Sequence, residues 1–313
     1  MCISYLKDTK MLLSCLLSAT LLVQAALCSP QGARIDPPAK EYLKDLRFTI
    51  GTSEYLFLTT KTDWYKAKLN CKAQGMELVS IESAEENAGL TAQLQAYPYE
   101  EAWTSGTRLG THNNYYWEST GNFFGPYKNW LIPPEFYGDE EFVYLQSYET
   151  DGSRKWRENS ANYPTKMAIC ELRPQTYDTS IKNKPGRFTI EDGYYEISSM
   201  MLPWQHAKND CRSRGMDLIS IETEEENAAL ILALQEYEEP FWTSGNRYLT
   251  QDYYWEATGQ LIEGTYTNWA AEQPSIYPCL KMNADVLTRQ WYTEECYIES
   301  NLARYVCEFH PRK

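Results

Sequence analysis

The sequence predicts an α+β chain of two similar domains, on three observations: an internal repeat, a shared order of elements, and cysteines that recur with the repeat. Arg47-Phe48-Thr49-Ile50 returns as Arg187-Phe188-Thr189-Ile190. Trp64, Ala67, Cys71, Gly75, Leu78 and Ile81 return as Trp204, Ala207, Cys211, Gly215, Leu218 and Ile221. Trp103-Thr104-Ser105-Gly106 returns as Trp242-Thr243-Ser244-Gly245, and Cys170-Glu171 as Cys307-Glu308. Between them the run Tyr115 to Trp117, Thr120-Gly121 and Asn129-Trp130 returns as Tyr253 to Trp255, Thr258-Gly259 and Asn268-Trp269. The match runs through residues 47–171 and 187–309.

Each copy opens with a hairpin, Phe48–Ile50 to Tyr55–Leu58 and Phe188–Ile190 to Tyr194–Ile197, across turns carrying Gly51 or Asp192-Gly193. A first helix follows, capped by Thr62 in copy one and begun by Pro203 in copy two. Trp64, Ala67 and Cys71 share one face at helical spacing, as do Trp204, Ala207 and Cys211. Gly75 and Gly215 supply the left-handed residue that ends each helix. Ser83 and Thr223 start a second helix, each with a glutamate three residues on, Glu86 and Glu226, in a capping box. Leu90 and Leu94, or Leu230 and Leu234, face the core, and the remainder of each copy is strand and long irregular loop. The division is therefore 1–28 signal peptide, 29–46 tail, 47–172 first domain, 173–186 linker and 187–310 second domain.

Lys7 and Lys10 precede an apolar stretch, Met11–Leu27, with small-residue cleavage choices after Ala25, Ala26 or Cys28. The competing reading of this stretch is an uncleaved signal anchor. Either places the chain outside the cytosol, where disulfides persist, and the expectation is a secreted, extracellular protein. Of nine cysteines, cleavage after Cys28 leaves six, an even number. Earlier cleavage leaves Cys28 as an odd thiol able to join two chains. The formal charge of −14 repels phosphate backbones and anionic bilayers, so nucleic acid and membrane surfaces are poor partners.

These motifs resemble the C-type lectin-like family. The first-helix Trp…Ala…Cys…Gly pattern, the core strand (here Trp-Thr-Ser-Gly) and the terminal Cys-Glu carry the resemblance, and the Thr-Gly…Asn-Trp variants are most similar to insect members. The resemblance implies outer disulfides Cys71–Cys170 and Cys211–Cys307, and an inner one, Cys279–Cys296, across the long loop. Aligning Trp156 with Trp291 sets Tyr144 where Cys279 sits and Ala161 where Cys296 sits, so copy one lacks the inner bridge and its loop region 131–161 is expected to be the more mobile.

Sugar-binding members grip vicinal hydroxyls through calcium, held by a Glu-Pro-Asn or Gln-Pro-Asp triplet, a glutamate before the inner cysteine, and an Asn-Asp pair after a strand tryptophan. Calcium wants six to eight hard oxygens, several of them anionic. Copy two has Gln273-Pro274-Ser275 at the triplet, Tyr277 for the glutamate, and Tyr292-Thr293 after Trp291. The anionic ligands at the matched positions are gone, and only Glu272, Glu294 and Glu295 lie near enough to build a rearranged site. Copy one has Pro133-Pro134-Glu135 out of register, then Asp139, Glu140 and Glu141, and Arg157-Glu158 after Trp156, which reads as a solvated acidic loop. The expectation is no metal and no other cofactor, with Gln273, Pro274, Ser275 and Tyr292 as the candidate ligand-binding residues, because the fold puts ligands at that loop. Tyr137, Tyr148, Tyr163, Tyr277 and Tyr297 are further aromatic candidates, each more simply read as strand or loop packing.

Catalysis finds no support. His112, His206 and His310 are the three histidines, none paired at metal-binding spacing, and no nucleophile motif occurs. His206, beside Lys208, reads as a surface residue. Two functions remain: glycan recognition with avidity from paired domains, or calcium-independent binding of extracellular proteins with a basic partner steered by the acidic surface.

Overall fold

The computed structural model describes residues 43–309, except 112, 135–140, 149–151, 173–184 and 249–250. The signal and tail, Cys28, most of the linker, and Tyr137, Glu135, Asp139, Glu140, His112 and His310 therefore lie outside the described residues.

In the first domain β1 (Leu46–Ile50) and β2 (Ser53–Thr62) form the opening hairpin, with Gly51 at φ +58° in its turn. The last strand, β8 (Lys166–Leu172), pairs antiparallel with β2 and so closes the two ends of the domain on each other. β4 (Ala102–Thr107) runs parallel to β8, and β6 (Phe142–Ser147) and β7 (Arg154–Asn159) complete the order β1-β2-β8-β4-β6-β7. Short β3 (Glu77–Leu78) joins β8 and short β5 (Tyr116–Trp117) joins β4. The second domain repeats this with β9 (Arg187–Ile190), β10 (Gly193–Ile197), β11 (Asp217–Leu218), β12 (Phe241–Asn246), β13 (Tyr254–Trp255), β14 (Cys279–Met282), β15 (Trp291–Glu294) and β16 (Arg304–Phe309). Its order is β15-β14-β12-β16-β10-β9.

The helices are α1 (Trp64–Ala73), α2 (Ala84–Gln93), α3 (Trp204–Ser213) and α4 (Glu224–Ala233). Two starts differ from expectation. Asp63, not Thr62, caps α1, its carboxylate accepting from the Lys66 N–H at 2.8 Å, because Thr62 is still the last residue of β2. Pro203 stands one residue before α3 with extended ψ, and no side chain caps that helix. The capping boxes are present but shifted. Ser83 and Thr223 accept from the Glu86 and Glu226 N–H groups, while those glutamates reach back to the N–H groups of Glu82 and Glu222, one residue ahead of the cap. Gly75 and Gly215 take φ +66° and +74° just past the helix ends, where a left-handed residue is needed.

Strand alternation divides the core of each domain. Phe57 and Ile169 join Leu90, Leu94, Trp117 and Trp156 in one cluster, while their neighbours Leu56 and Cys170 join Trp64, Ala67 and Cys71 in another. One arginine per domain ties sheet to helix. Arg154, 2% exposed, donates to the carbonyls of Leu94, Tyr97 and Glu100 beyond the end of α2 at 2.7–3.1 Å. Arg289 does the same for Leu234, Tyr237 and Glu239 beyond α4. A cation there meets the negative end of the helix dipole and adds a charged donor to carbonyls of the turn that follows the helix.

Disulfides join Cys71 to Cys170, Cys211 to Cys307 and Cys279 to Cys296. The strand register corrects one correspondence between the copies. Cys279 lies opposite Asn246, and the matching position opposite Thr107 is Phe142, not Tyr144. Tyr144 instead pairs with Trp103, as Lys281 pairs with Trp242. The slip arises in the hairpin: Leu145 pairs with Trp156 where Met282 pairs with Trp291, so copy one carries the longer turn. Phe142 and Ala161, large against small, occupy the place of the bridge and pack in one cluster with Trp64.

Both domains belong to one compact unit, Lys44–Lys313, and they meet at a buried seam of charge. Lys68 on α1 donates to Glu118 of its own domain at 2.7 Å and to Glu256 of the other at 2.6 Å. Lys208 on α3 makes the reciprocal pair, to Glu256 at 2.8 Å and Glu118 at 3.2 Å. Lys72 donates to the Ala257 carbonyl and Arg212 to the Glu118 carbonyl and carboxylate. Burial alone would raise the Glu118 carboxyl, but Arg212, Lys68 and Lys208 outweigh it and hold the group well below the usual range.

Candidate functional site

The long loop of the second domain leaves the sheet beside Trp269, whose backbone pairs with Trp291 of β15. The Ala270 N–H donates to Trp291 at 2.8 Å, and the Trp291 N–H to Asn268 at 2.7 Å. These bonds set the start of the loop against β15 and bring Gln273-Pro274-Ser275 next to Thr293. The Gln273–Pro274 peptide is cis. The Gln273 side-chain oxygen accepts from the Thr293 N–H and hydroxyl, both at 3.0 Å, and from the Ser275 N–H at 3.2 Å. Ser275 Oγ lies 2.6 Å from Thr293 Oγ1.

The chemistry of this donor set is neutral. An amide oxygen and two hydroxyls face one another with no carboxylate among them, and the amide oxygen is already engaged three times. That arrangement does not fit a cation that needs several anionic oxygens. Glu294 is turned away, accepting from the Asn301 side chain at 3.1 Å. Among the described residues, no three His, Cys, Asp or Glu side chains converge to hold a metal ion.

Pro274 and Ser275 form one wall of a cleft of about 510 Å³. Its apolar lining is Tyr253, Ile262 and Trp269, and its polar lining includes Arg247, Asp252, Glu263, Thr265 and Thr267. The Tyr253 hydroxyl donates to the Ser275 carbonyl at 3.3 Å and also to that of Tyr277, which ties the strand region to the loop. Burial raises the Tyr253 phenol, with the Thr293 hydrogen bond and Arg247 opposing in part, so it remains a donor at neutral pH. Arg247 stacks over the Tyr253 ring at 5.5 Å and donates to the Ile276 carbonyl. Beyond the cleft the loop exposes Ile276 (78%) and Tyr277 (44%).

Of the four residues singled out in the sequence, the structure brings three together. Gln273, Pro274 and Ser275 share the turn, with Gln273 spent on internal bonds. Tyr292 does not join them. It sits on the opposite face of β15 from Thr293, across from Lys281, and burial, then Glu294, pushes its phenol up to about 12. Tyr297 packs on Tyr248 at 5.2 Å and is no loop anchor, whereas Tyr148 and Tyr163 are exposed. In the first domain Glu141 lies 3.9 Å from Arg108, Glu158 accepts from the Tyr115 hydroxyl, and Arg157 donates to Gln146.

His206 departs from the expectation of a surface position, and Lys208 beside it is deeper still. Lys208 is 5% exposed within the seam, and His206 is half-buried in a cavity of about 270 Å³ lined by both domains. The seam went unread in the sequence, although the repeat carries a signal of its charges. Lys68 and Lys208, and Glu118 and Glu256, recur at matched repeat positions, each glutamate directly after a core tryptophan. Charge repeated beside buried tryptophan signals a buried ion pair, but the sequence does not say that the two pairs meet.

The Lectin C-type domain family matches the chain twice, at residues 60–172 and 201–309. Fly C-type lectin 37Da (Drosophila melanogaster) is 36% identical over 108 residues, 33% of this chain and 58% of that protein. Human C-type mannose receptor 2 is 23% identical over 262 residues, 81% of this chain but 17% of the receptor. The chain thus spans less than two thirds of the length of either relative. Among solved structures, the carbohydrate-recognition domain of mouse scavenger receptor C-type lectin aligns with 20% identity and a TM-score of 0.36, covering 41% of this chain and 97% of that one. Family modules of this kind bind rather than catalyse, and no helix among the described residues is long and apolar enough to cross a membrane. With both copies matched in full sequence order and the same sheet built twice, the chain belongs to the C-type lectin domain family.

Proposed function

We propose that the chain is a secreted recognition protein whose second domain binds a glycan in the cleft beside Gln273-Pro274-Ser275 without a calcium ion. The observation that carries this reading is the cleft itself. Its volume of about 510 Å³ lies within the range of small-ligand sites, and it combines aromatic lining with a polar rim. Trp269 offers apolar ring surface to a sugar face, and Thr265, Thr267, Asp252 and Glu263 offer hydroxyl and carboxylate partners to its hydroxyls. The neutral, internally bonded triplet supports recognition that does not pass through a metal.

Glycan-array binding, run in millimolar calcium and again in EDTA, tests it. The expected result is the same signal in both buffers, lost in a Thr267→Phe variant that narrows the cleft. Signal abolished by EDTA alone would sink the calcium-free reading. The second reading, capture of an extracellular protein, draws on the exposed Ile276 and Tyr277 beside the cleft. Free monosaccharide that competes away binding would exclude it.

A further inference from the structure

The seam between the domains repeats across a local pseudo-two-fold relation. Lys68 and Lys208 are equivalent in the repeat, as are Glu118 and Glu256, and each lysine bridges both glutamates. The next turn of each helix reaches the same turn of the other domain, one residue apart: Lys72 meets the Ala257 carbonyl and Arg212 the Glu118 carbonyl. The turns that follow also correspond. Gly121 of the first domain lies against α3 and Gly259 of the second lies against α1. A contact in which residue i of one partner meets residue j of the other, and j meets i, is the signature of a self-complementary dimer surface.

The charge arrangement suits pairing of two complementary faces. Each face already contains its own ion pair, Lys68–Glu118 or Lys208–Glu256, so neither presents an uncompensated charge alone. Docking adds the crossed pairs and closes every one of these groups to solvent, at 3–7% side-chain exposure. Each lysine then faces both glutamates, and each glutamate faces Lys68, Lys208 and Arg212, so no charge is buried without an opposite partner. Nothing in this contact requires the connecting segment.

We infer that the helix-and-turn face around Lys68 and Glu118 is an autonomous pairing surface whose partner is the matching face of another domain of this kind, so that the two halves stay associated when the linker is cut. Among the described residues every disulfide lies within one domain, so none ties the two halves together.

The test inserts a specific protease site between residues 173 and 184 of the full chain and cuts the folded protein. At about 1 μM the halves should co-elute at the intact size. Separation of the unmutated halves would overturn the inference. A Glu118→Gln/Glu256→Gln variant, with its fold checked by near-UV circular dichroism before cutting, should weaken association at least tenfold; unchanged association would remove the ion cluster from the account. Gly121→Ala and Gly259→Ala give an independent comparison. Both glycines hold a left-handed φ, +70° and +77°, so both variants carry the same backbone strain. A Cβ at Gly121 would come 2.2 Å from the Asn209 carbonyl oxygen, whereas at Gly259 the nearest atom is 3.7 Å away. Cut Gly121→Ala halves should part and cut Gly259→Ala halves should stay together; equal behaviour of the two would contradict the seam as the holding contact.

Discussion

Arg154 and Arg289 show how much one side chain can hold. Each is a guanidinium taken out of water and aimed at three carbonyls past the end of a helix, and burial lowers the Arg154 group to about 10. Replacing either by alanine removes the charged donor from those carbonyls and opens a void. Arg289→Ala is expected to destabilise the second domain by roughly 2–4 kcal/mol, read as a lowered urea midpoint at constant slope. At this scale the sequence was a mixed guide. The tryptophans, Leu90, Leu94 and the capping serine and threonine could be recognised because periodicity and cap chemistry are local. Arg154 and Arg289 could not, because an arginine on a strand looks solvent-facing until the helix end it serves is in place. Gln273 was legible as part of the loop, but its partner Thr293 is twenty residues on and only the fold joins them.

At the scale of elements, the two long-loop regions solve one problem differently. The second domain staples β14 to the segment after β15 with Cys279–Cys296, and the first fills the same place with Phe142 against Ala161. Cys279→Ala/Cys296→Ala removes a bridge closing a short loop, for which about 2–4 kcal/mol is typical, and thermal unfolding should show an earlier transition than the unaltered protein. The register slip explains why the sequence misplaced Phe142. Counting back from Trp156 crosses a turn whose length differs between copies, and turn length leaves no mark in the strand pattern on either side. Hairpins, helices and their order were readable because hydrophobic period and turn residues specify them. The start of α1 was missed by one residue because Thr62 and Asp63 are both acceptable caps, and the choice falls to the strand that claims Thr62.

The whole molecule depends on a small cluster with unusual charge balance. Three cations, Lys68, Lys208 and Arg212, face Glu118 and Glu256, with Lys72, Glu77 and Asp217 at its edge. Both central carboxyls are held below their ordinary value of 4.5, against the opposing effect of burial. A depressed carboxyl stabilises the fold above its unfolded value and loses that contribution as the pH falls through its folded value. Stability monitored by differential scanning calorimetry should therefore hold down to about pH 4.5 and decline below it. The Glu118→Gln/Glu256→Gln variant should show a shallower acid limb. The repeat announced two domains at once, but their union was hidden, because a pair of matched ion pairs reads the same whether the two faces are apart or joined.

That union has a consequence for what the molecule can report. A tether alone would let two heads wander, so that any pair of targets within reach could be held together. The seam restricts how far the cleft beside Pro274 can move relative to the other half. A surface touched by both halves must present its two features within that range, and one that presents them nearer or farther engages a single half. On the proposed reading, a protein with a target site on each half would act as a gauge, sensitive to how its targets are laid out as well as to what they are.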